Sequence, residues 1–297
     1  MKNKIPLIFD CDNTYGVPRR DVDDGLALLY LLGCPEIELL GITCSFGNSD
    51  QNTVYANTQR LLAEWGRSDI PVYRGAVAGG DHDSPAARFL AAQAAAYKSR
   101  LNILCTGSVT NLFGANCFDS EFFGNIARLS LMGGLTEPLF VGGKPMRELN
   151  FSSDSQATYE VLRGVKNVLI ACAAHCLDSF FSEVQLKAEL DAHPGALASY
   201  LGRTLRYWYD INRHEWNIDG IINWDVMAAC QLLHPEYFRL KPAVITPSEE
   251  SLRSGCLLGD GRPLSVCLPH IIDRQRYTEH IYDIYFSAAV AIKEHNE

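Results

Sequence analysis

Apolar runs alternate with helical patterns over the first two thirds of the chain, and this alternation constrains the fold more than any other feature. Strands that are apolar throughout and separated by helices pair in parallel and are covered on both faces. We therefore expect an α/β fold, with one domain over residues 1–297 and helices on both faces of an open, mostly parallel sheet. The predicted strands are residues 5–9, 37–44, 70–73, 101–105, 129–132 and 167–171, and the predicted helices are residues 24–32, 52–65, 86–97 and 154–162.

Polar residues follow the predicted strands at the points where the strands end. Asp10 and Asp12 come after the first strand, Asn48 after the second, and Thr106 and Met132 after two later ones. Ligands of open parallel sheets bind at the carboxyl ends of the strands. The sequence therefore predicts a small-molecule site at this edge.

Composition excludes several classes of function. The formal charge is −9 and the longest basic run is Arg19-Arg20, whereas nucleic-acid binding needs clustered basic residues. No apolar stretch approaches the length that crosses a bilayer. The ten cysteines are scattered mostly inside apolar runs, which indicates buried free thiols in a reducing compartment. We expect a cytoplasmic protein with a small-molecule substrate and neither a nucleic-acid nor a membrane partner.

The segment 7–32, LIFDCDNTYGVPRRDVDDGLALLYLL, contains two acidic pairs. Its first half resembles the nucleophile loop of haloacid-dehalogenase-type phosphatases, with Asp10 as nucleophile and Asp12 as general acid. That family also needs a late Gly-Asp followed by a second Asp. The late Gly259-Asp260 is instead followed by Gly, Arg, Pro and Leu264, so the phosphatase interpretation is the weaker alternative.

As a whole, the same segment resembles the metal-binding signature of nucleoside hydrolases, an Asp-x-Asp after a strand and an Asp-Asp heading an apolar helix. Further motifs of that family follow in order along nearly the whole chain. Each is weak alone, but their number and order identify the chain as a divergent member, which implies a Rossmann-like sheet. The motifs are Asp10-x-Asp12, Asp23-Asp24, Gly47-Asn48, Gly75-Ala76, residues 106–111 (TGSVTN), Met132-Gly133-Gly134, Glu148-x-Asn150 with Asp154, and Asp225 before Ala228-Ala229.

The resemblance implies a calcium site. Its ligands would be the carboxylates of Asp12, Asp24 and Asp225 and the backbone carbonyl of Thr110. Carboxylates crowded at one edge raise each other's pKa unless a hard cation neutralises them, and an all-oxygen set suits Ca²⁺ better than zinc. Helix capping accounts for only one of Asp23 and Asp24, so the second acidic residue needs another explanation.

The resemblance also implies hydrolysis of an N-glycosidic bond, with water attacking C1′ of ribose and Asp12 taking its proton. Asp10 is expected to support the loop from behind. Buried groups matched to the sugar hydroxyls would reject deoxyribose, because they would be left unpaired. The expected substrate contacts are Asp23, Asn48, Asn150 and Asp225 at the 2′- and 3′-hydroxyls, Glu148 at the 5′-hydroxyl, and Met132.

The leaving-group side departs from the family pattern. Many members carry a His before the last metal-binding Asp, whereas this chain has Trp224. That residue resembles the purine-specific branch, in which a tryptophan stacks on the base, although a core aromatic at a helix start is the alternative. His214, within a helical segment at 203–216, and His82 are candidates to contact the base. We therefore expect purine preference and a role in purine salvage.

The second departure is the insert, residues 13–22, between Asp12 and Asp23. Its Gly16 and Pro18 predict a protruding loop, whose Arg19 or Arg20 would contact the substrate, a neighbouring subunit or only solvent. Residues 116–121 and 247–262 are also expected to be surface loops. Near the 5′ side, Lys144 and Arg147 could accommodate a phosphate.

Three functional hypotheses remain open. The first is a calcium-dependent ribonucleoside hydrolase. The second is the same fold acting on another ribosyl substrate, and the third is a nucleoside- or ribose-binding pseudoenzyme. A pure binder would not need a base such as Asp12 beside the metal. Family analogy also implies a dimer or tetramer.

Overall fold

An eight-stranded sheet forms the centre of the computed structural model, which describes residues 4–293. The strand order is β12-β13-β8-β5-β4-β1-β2-β3, and every pairing in it is parallel except that of β12 with β13. The strands in the described residues are β1 (Ile5–Cys11), β2 (Ile37–Cys44), β3 (Val72–Arg74), β4 (Leu101–Cys105), β5 (Ile126–Met132), β6 (Phe140–Val141), β7 (Lys144–Pro145), β8 (Val168–Ala171), β9 (Phe180–Ser182), β10 (Gly220–Ile222), β11 (Phe238–Arg239), β12 (Pro242–Ile245), β13 (Leu264–Cys267) and β14 (His270–Ile271).

Helices cover both faces of this sheet. Leu7 and Phe9 of β1 belong to one buried apolar cluster and Ile8 to the other, because successive side chains of a strand point to opposite faces. The α-helices of the described chain are α1 (Asp23–Gly33), α2 (Gln51–Glu64), α3 (Pro85–Tyr97), α4 (Thr110–Phe118), α5 (Phe122–Asn125), α6 (Ser155–Gly164), α7 (Ala173–Cys176), α8 (Glu183–Ala192), α9 (Ala196–Ile211), α10 (Trp224–Leu233), α11 (Glu249–Leu252) and α12 (Arg274–Ser287).

The expected fold class, an open and mostly parallel α/β sheet, is confirmed, and each predicted strand and helix is present with ends shifted by a few residues. The predicted helical segment 203–216 is the second half of α9 followed by a π-helix, Asn212–Trp216. The expected single domain includes residues 1–3 and 294–297, which lie outside the described residues.

The register of the central strands aligns their carboxyl ends. Asp10 of β1 pairs with Thr43 of β2 on one side and with Cys105 of β4 on the other. Helices α1, α4 and α10 begin near this edge, with Asp23, Thr110 and Trp224 as their first residues. The strand-end residues of the sequence motifs are therefore brought to one edge of the sheet.

The prediction that residues 13–22 protrude is wrong for the first part of the insert. Asn13, Thr14 and Tyr15 are buried. The Tyr15 ring packs 5.9 Å from Trp65 and 6.2 Å from Tyr200, centroid to centroid. Burial of a large aromatic side chain outweighs the turn-forming tendency of the glycine and proline that follow.

The two predicted surface loops are likewise only partly loops at the surface. Helix α4 continues to Phe118, so the first half of residues 116–121 is helical. Within residues 247–262, α11 forms and Leu252 and Leu257 are fully buried. Apolar side chains spaced along an irregular segment fill the space beside the sheet, and hydropathy averaged over the segment hides them.

Free thiols are confirmed for all ten cysteines, and most of the thiols are buried. Across residues 4–293, no helix combines the length and the apolar character that a bilayer span needs.

Candidate active site

A cavity of about 190 Å³ opens at the carboxyl edge of the sheet. It brings together many of the side chains that the sequence motifs pointed to, although they come from loops far apart in the chain. Thr106, Arg147 and Asp21, which the predicted site did not include, line it as well. The predicted residues along its wall are Asp23, Asn48, Met132, Glu148, Asn150, Trp224 and Asp225.

Three carboxylates form the acidic centre of this site. Ligand atoms of Asp23, Asp24 and Asp225 all lie within 4.8 Å of one another, and all three residues are buried. Burial and then the neighbouring negative charges raise the pKa of each well above its usual value. Such a cluster is costly unless protons or a cation neutralise it.

The donor set at this centre fits a hard cation. Asp24 Oδ1 accepts a hydrogen bond of 2.6 Å from the Thr106 hydroxyl. Its other oxygen, Oδ2, is buried and has no hydrogen-bond partner in the described chain. An unpartnered buried carboxylate oxygen beside two further carboxylates is the arrangement that an oxygen-ligated metal ion completes.

Asp12 lies behind the cavity wall and is held by Asn48. The backbone N–H of Asn48 donates to Asp12 Oδ2 at 2.5 Å, and its side-chain amide donates to Oδ1 at 3.3 Å. Burial raises the pKa of the Asp12 carboxyl to about 7, against the lowering effect of the Asn48 hydrogen bond. Asp12 is therefore poised to exchange a proton near neutral pH.

The Asp10 carboxylate is fully buried and is fixed by hydrogen bonds. Its Oδ2 accepts hydrogen bonds from the Thr43 hydroxyl at 2.5 Å and from the Asn111 side-chain amide at 2.9 Å. Asn111 in turn accepts from the backbone N–H of Ala76. Burial raises the pKa of Asp10 to about 6. Asp10 thus links the end of β1 to β2 and to the first turn of α4.

Thr110, expected as a ligand through its carbonyl, does not line the cavity. Its hydroxyl donates to Asp154 Oδ2 at 2.8 Å. Asp154 caps the N-terminus of α6. The first threonine of the same motif, Thr106, lines the cavity and bonds Asp24 instead. The motif begins directly at the end of β4, so its first residue and not its fifth reaches the acidic centre.

Asn150 and Glu148 sit on the opposite wall. The Asn150 amide donates to the backbone carbonyls of Thr106 at 2.8 Å and Met132 at 3.1 Å, which positions its side chain at the cavity. Glu148 accepts from the backbone N–H groups of Phe151 at 2.7 Å and Ser152 at 2.8 Å. Both side chains are thereby held rigidly at the rim.

The two candidate histidines are not brought to the cavity. His214 is exposed on the π-helix. His82 is half-buried with its ring 4.7 Å from that of Phe113, and neither residue lines the cavity. Their expected contact with the base has no support in this geometry. His82 follows a loop bound to Asp154 through Gly80 N–H, which holds it outside the site.

A second cavity of about 150 Å³ adjoins the first and shares Asp21, Met146 and Trp224 with it. We call it the tryptophan cavity, because three of the four tryptophans in the chain line it: Trp208, Trp216 and Trp224. Trp224 therefore forms a wall between the polar cavity and an aromatic one, although the sequence alone left it as either a base contact or core.

Asp21 is a site residue that the sequence motifs did not reveal. It lies at the end of the insert and lines both cavities. Its Oδ1 accepts from the backbone N–H of Val22 at 2.7 Å, and burial raises its pKa to about 6. The one available signal was its spacing, two residues before the Asp23-Asp24 pair.

The basic residues near the site are otherwise occupied. Arg19 forms an exposed ion pair with Glu215 at 2.7 Å. The Lys144 ammonium donates to the backbone carbonyl of Glu215 at 2.6 Å. Arg147 lines the rim of the polar cavity but is exposed. The insert and the β6–β7 hairpin thus both bind the π-helix at the tryptophan cavity.

The family model for inosine-uridine preferring nucleoside hydrolase matches residues 7–279. A probable uridine nucleosidase 2 of Oryza sativa subsp. japonica is 23% identical, with 79% of this chain and 77% of that protein covered. The pyrimidine-specific ribonucleoside hydrolase RihA of Klebsiella pneumoniae is 26% identical over 79% of this chain and 81% of its own.

Solved structures share the fold. A plant nucleoside hydrolase, PpNRh1, superposes with a TM-score of 0.80 at 18% identity and covers 96% of this chain and 99% of its own. A purine-preferring ribonucleoside hydrolase from Gardnerella vaginalis gives a TM-score of 0.79 at 19% identity with the same coverage. At these identities the likeness establishes the fold.

Proposed function

The chain belongs to the inosine-uridine preferring nucleoside hydrolase family, whose model matches residues 7–279, and we propose that it hydrolyses the N-glycosidic bond of ribonucleosides. The products would be ribose and a free base. One observation carries this proposal: an acidic centre with Asp12 behind it lies in a polar cavity that adjoins an aromatic one. A ribose with hydroxyls to be bound and an aromatic base fits that pair of cavities.

We further propose that the acidic centre holds calcium. The carboxylates of Asp12, Asp24 and Asp225 would bind it, with Asp23 alongside and the Thr106 hydroxyl holding Asp24 in place. An all-oxygen set of this kind suits Ca²⁺. When bound, the ion supplies positive charge that binds the sugar hydroxyls and lowers the pKa of water at C1′.

Residues of the chain then perform the proton and binding steps. Asp12 accepts the proton of the attacking water, and the hydrogen bonds from Asn48 hold its carboxylate in place. Asn150 and Asp23 bind the 2′- and 3′-hydroxyls, together with Asp225, and Glu148 binds the 5′-hydroxyl. The side chains of Asn150, Glu148 and Asp23 are fixed by hydrogen bonds to backbone groups, so little conformational entropy is lost when the sugar binds.

Purine preference is proposed from the tryptophan cavity. Its three indoles offer a larger stacking area to a two-ring base than to a one-ring base. The names of similar proteins do not decide the matter, since they include uridine, pyrimidine and purine enzymes. A role in purine salvage, a cytoplasmic location and a dimeric or tetrameric state remain predictions.

The experiment is a ribose-release assay on the purified protein with inosine, guanosine, adenosine, uridine and cytidine. Each substrate is incubated after chelation by EGTA, and again after calcium is restored. We expect ribose from the purine nucleosides first, loss of activity with the chelator, and its recovery with calcium. No release from any nucleoside would overturn the proposed reaction, and release that withstands chelation would overturn the calcium site.

A further inference from the structure

We propose that the tryptophan cavity selects ribonucleosides whose leaving group is a positively charged aromatic ring, with Asp21 as the specificity-determining residue. An N-ribosylated pyridinium and an N7-alkylated purine share this chemistry. The inference rests on the proposed hydrolysis and names a substrate class for the same site.

The walls of the cavity are suited to a flat cation. Trp208, Trp216 and Trp224 line a space of about 150 Å³. The face of an indole carries partial negative charge and attracts cations, and a cage of aromatic rings is a general solution for cations that cannot donate hydrogen bonds. The remaining apolar lining, which includes Val141 and Ile222, excludes water and strengthens that attraction.

Asp21 supplies the charge that completes this cage. It is the one charged side chain along the tryptophan cavity in the described part of the chain. It also lines the neighbouring polar cavity, so its carboxylate lies at the junction where the ribose would meet its leaving group. The only cation lining the polar cavity among residues 4–293, Arg147, is exposed at the rim and does not line the tryptophan cavity.

The position of Asp21 is fixed from several sides. The Thr14 hydroxyl donates to the Asp21 carbonyl at 3.1 Å, and Asp21 Oδ1 accepts from the N–H of Val22. The insert is further anchored by the Tyr207 hydroxyl, which donates to the Arg20 carbonyl at 2.9 Å. A carboxylate that is held before substrate arrives selects for charge without a reorganisation cost.

The types of side chain along the tryptophan cavity point the same way. No His, Lys, Arg or Tyr lines the tryptophan cavity in the described chain. A neutral base that leaves with the C1′–N electron pair becomes an anion and needs a proton. A cationic ring receives the same electron pair at its ring nitrogen and departs neutral. Water oxygen forms the new bond to C1′, its proton passes to Asp12, and no acid is required.

The location of the charge predicts which kinetic constant responds. Positive charge lies on the ring in the ground state and moves to the adjacent ribosyl group in the transition state. Asp21, at the junction, faces the charge in both states. Uniform stabilisation of this kind lowers KM and leaves kcat nearly unchanged.

The test compares charged and neutral substrates that match in shape. 7-Methylguanosine is paired with guanosine, and nicotinamide riboside serves as the pyridinium arm. Asp21→Asn is compared with the parent protein and with Asp191→Asn, an exposed position on α8. We expect Asp21→Asn to raise KM for both cations about tenfold with kcat nearly unchanged. For guanosine, which becomes positively charged only in the transition state, we expect the same variant to lower kcat about tenfold with KM nearly unchanged. Asp191→Asn should change neither constant.

An equal rise in KM for guanosine and 7-methylguanosine would overturn the inference, because Asp21 would then contribute to binding whatever the charge of the ring. A rise in KM for only one of the two cations would overturn the inference for the other ring system and limit the substrate class to the one that responds. Titration with 1-methylnicotinamide, followed by tryptophan fluorescence, tests the cage without turnover. Quenching in the parent protein, with an affinity that Asp21→Asn lowers about tenfold, supports the inference. If no nucleoside is cleaved, the proposed hydrolysis is overturned, but this binding result would still support the cage. No quenching in the parent protein would overturn the inference.

Discussion

Asn48 holds both carboxylate oxygens of Asp12, through its backbone N–H at 2.5 Å and its side-chain amide at 3.3 Å. The contact depends on Gly47, since a Cβ at that position would lie 1.9 Å from Asp12 Oδ2. A single loop after β2 therefore fixes the position of the proposed general base. Several consequences can be measured.

Gly47→Ala should lower kcat by about 100-fold, because misplacement of a catalytic group by about 1 Å has effects of that order. Steady-state kinetics on the best nucleoside substrate measure the change. Gly124→Ala is the matched control, since a Cβ there meets nothing within 4 Å. Unchanged kcat in Gly47→Ala would show that Asp12 does not need this placement.

Asp12→Asn should reduce kcat by about 10²- to 10⁴-fold, as expected for removal of a general base. The amide keeps the size of the side chain and one oxygen that can bind a cation, so substrate affinity at saturating calcium should change little. Single-turnover rates and equilibrium binding of ribose separate the two effects. A loss confined to binding would reassign Asp12 to the metal site alone.

Trp224→Ala should lower kcat/KM for purine nucleosides, because the transition state loses one stacking contact, which contributes about 1–3 kcal/mol. It should affect p-nitrophenyl riboside far less, because that leaving group departs without help. Parallel kcat/KM measurements on the two substrates check this. Equal losses on both would mean that the indole only packs.

Removal of the metal should make the free energy of unfolding depend on pH. In the metal-free protein, burial raises the pKa of Asp12 to about 7 and that of Asp10 to about 6, above the ordinary 3.8. The folded state then binds more protons than the unfolded state between about pH 4 and 7. The stability that these groups contribute is present at low pH and is lost as pH rises through the folded pKa values.

We therefore expect Tm after chelation to fall between pH 5.5 and 7.5. Calcium at pH 7.5 should restore stability by about 2.7 kcal/mol at 100 times its Kd. Calorimetry with and without calcium measures both effects. Asp12→Asn should flatten the pH dependence of the metal-free protein, and a Tm that rises with pH in that protein would contradict the assignment.

Tyr15→Ala should destabilise the fold by about 3–5 kcal/mol, as for other buried aromatic truncations. The Tyr15 ring lies so close to α1 that a Cβ on Gly25 would be 2.4 Å from ring atoms Cγ and Cδ2. Arg19→Ala, in the exposed second half of the insert, should change the free energy of unfolding by less than about 1 kcal/mol. Urea denaturation of both variants tests whether the first half of the insert belongs to the core.

Much of the fold was predictable because its signal is local. Strands such as Ile37–Cys44 and Leu101–Cys105 coincide with their predicted bounds, since continuous apolar runs reflect burial on both faces. The gathering of Asp23, Asn48, Asn150 and Asp225 was predictable too. Asp23 and Asp225 lie at helix starts and Asn48 follows a strand, and parallel strands end at one edge. Asn150 was predicted from the family motif alone.

The alternation of apolar runs and the order of the motifs were determined by the sequence itself, because side-chain character and short spacings fix strands, helices and the ends where polar groups collect. Tertiary structure alone decided which of Thr106 and Thr110 faces the acidic centre, that Tyr15 is buried, and that Asp21 meets three tryptophans. Those tryptophans come from α9, the π-helix and α10, far from Asp21 in the chain. Which side of a loop faces inward depends on what distant segments pack against it, and no local pattern carries that information.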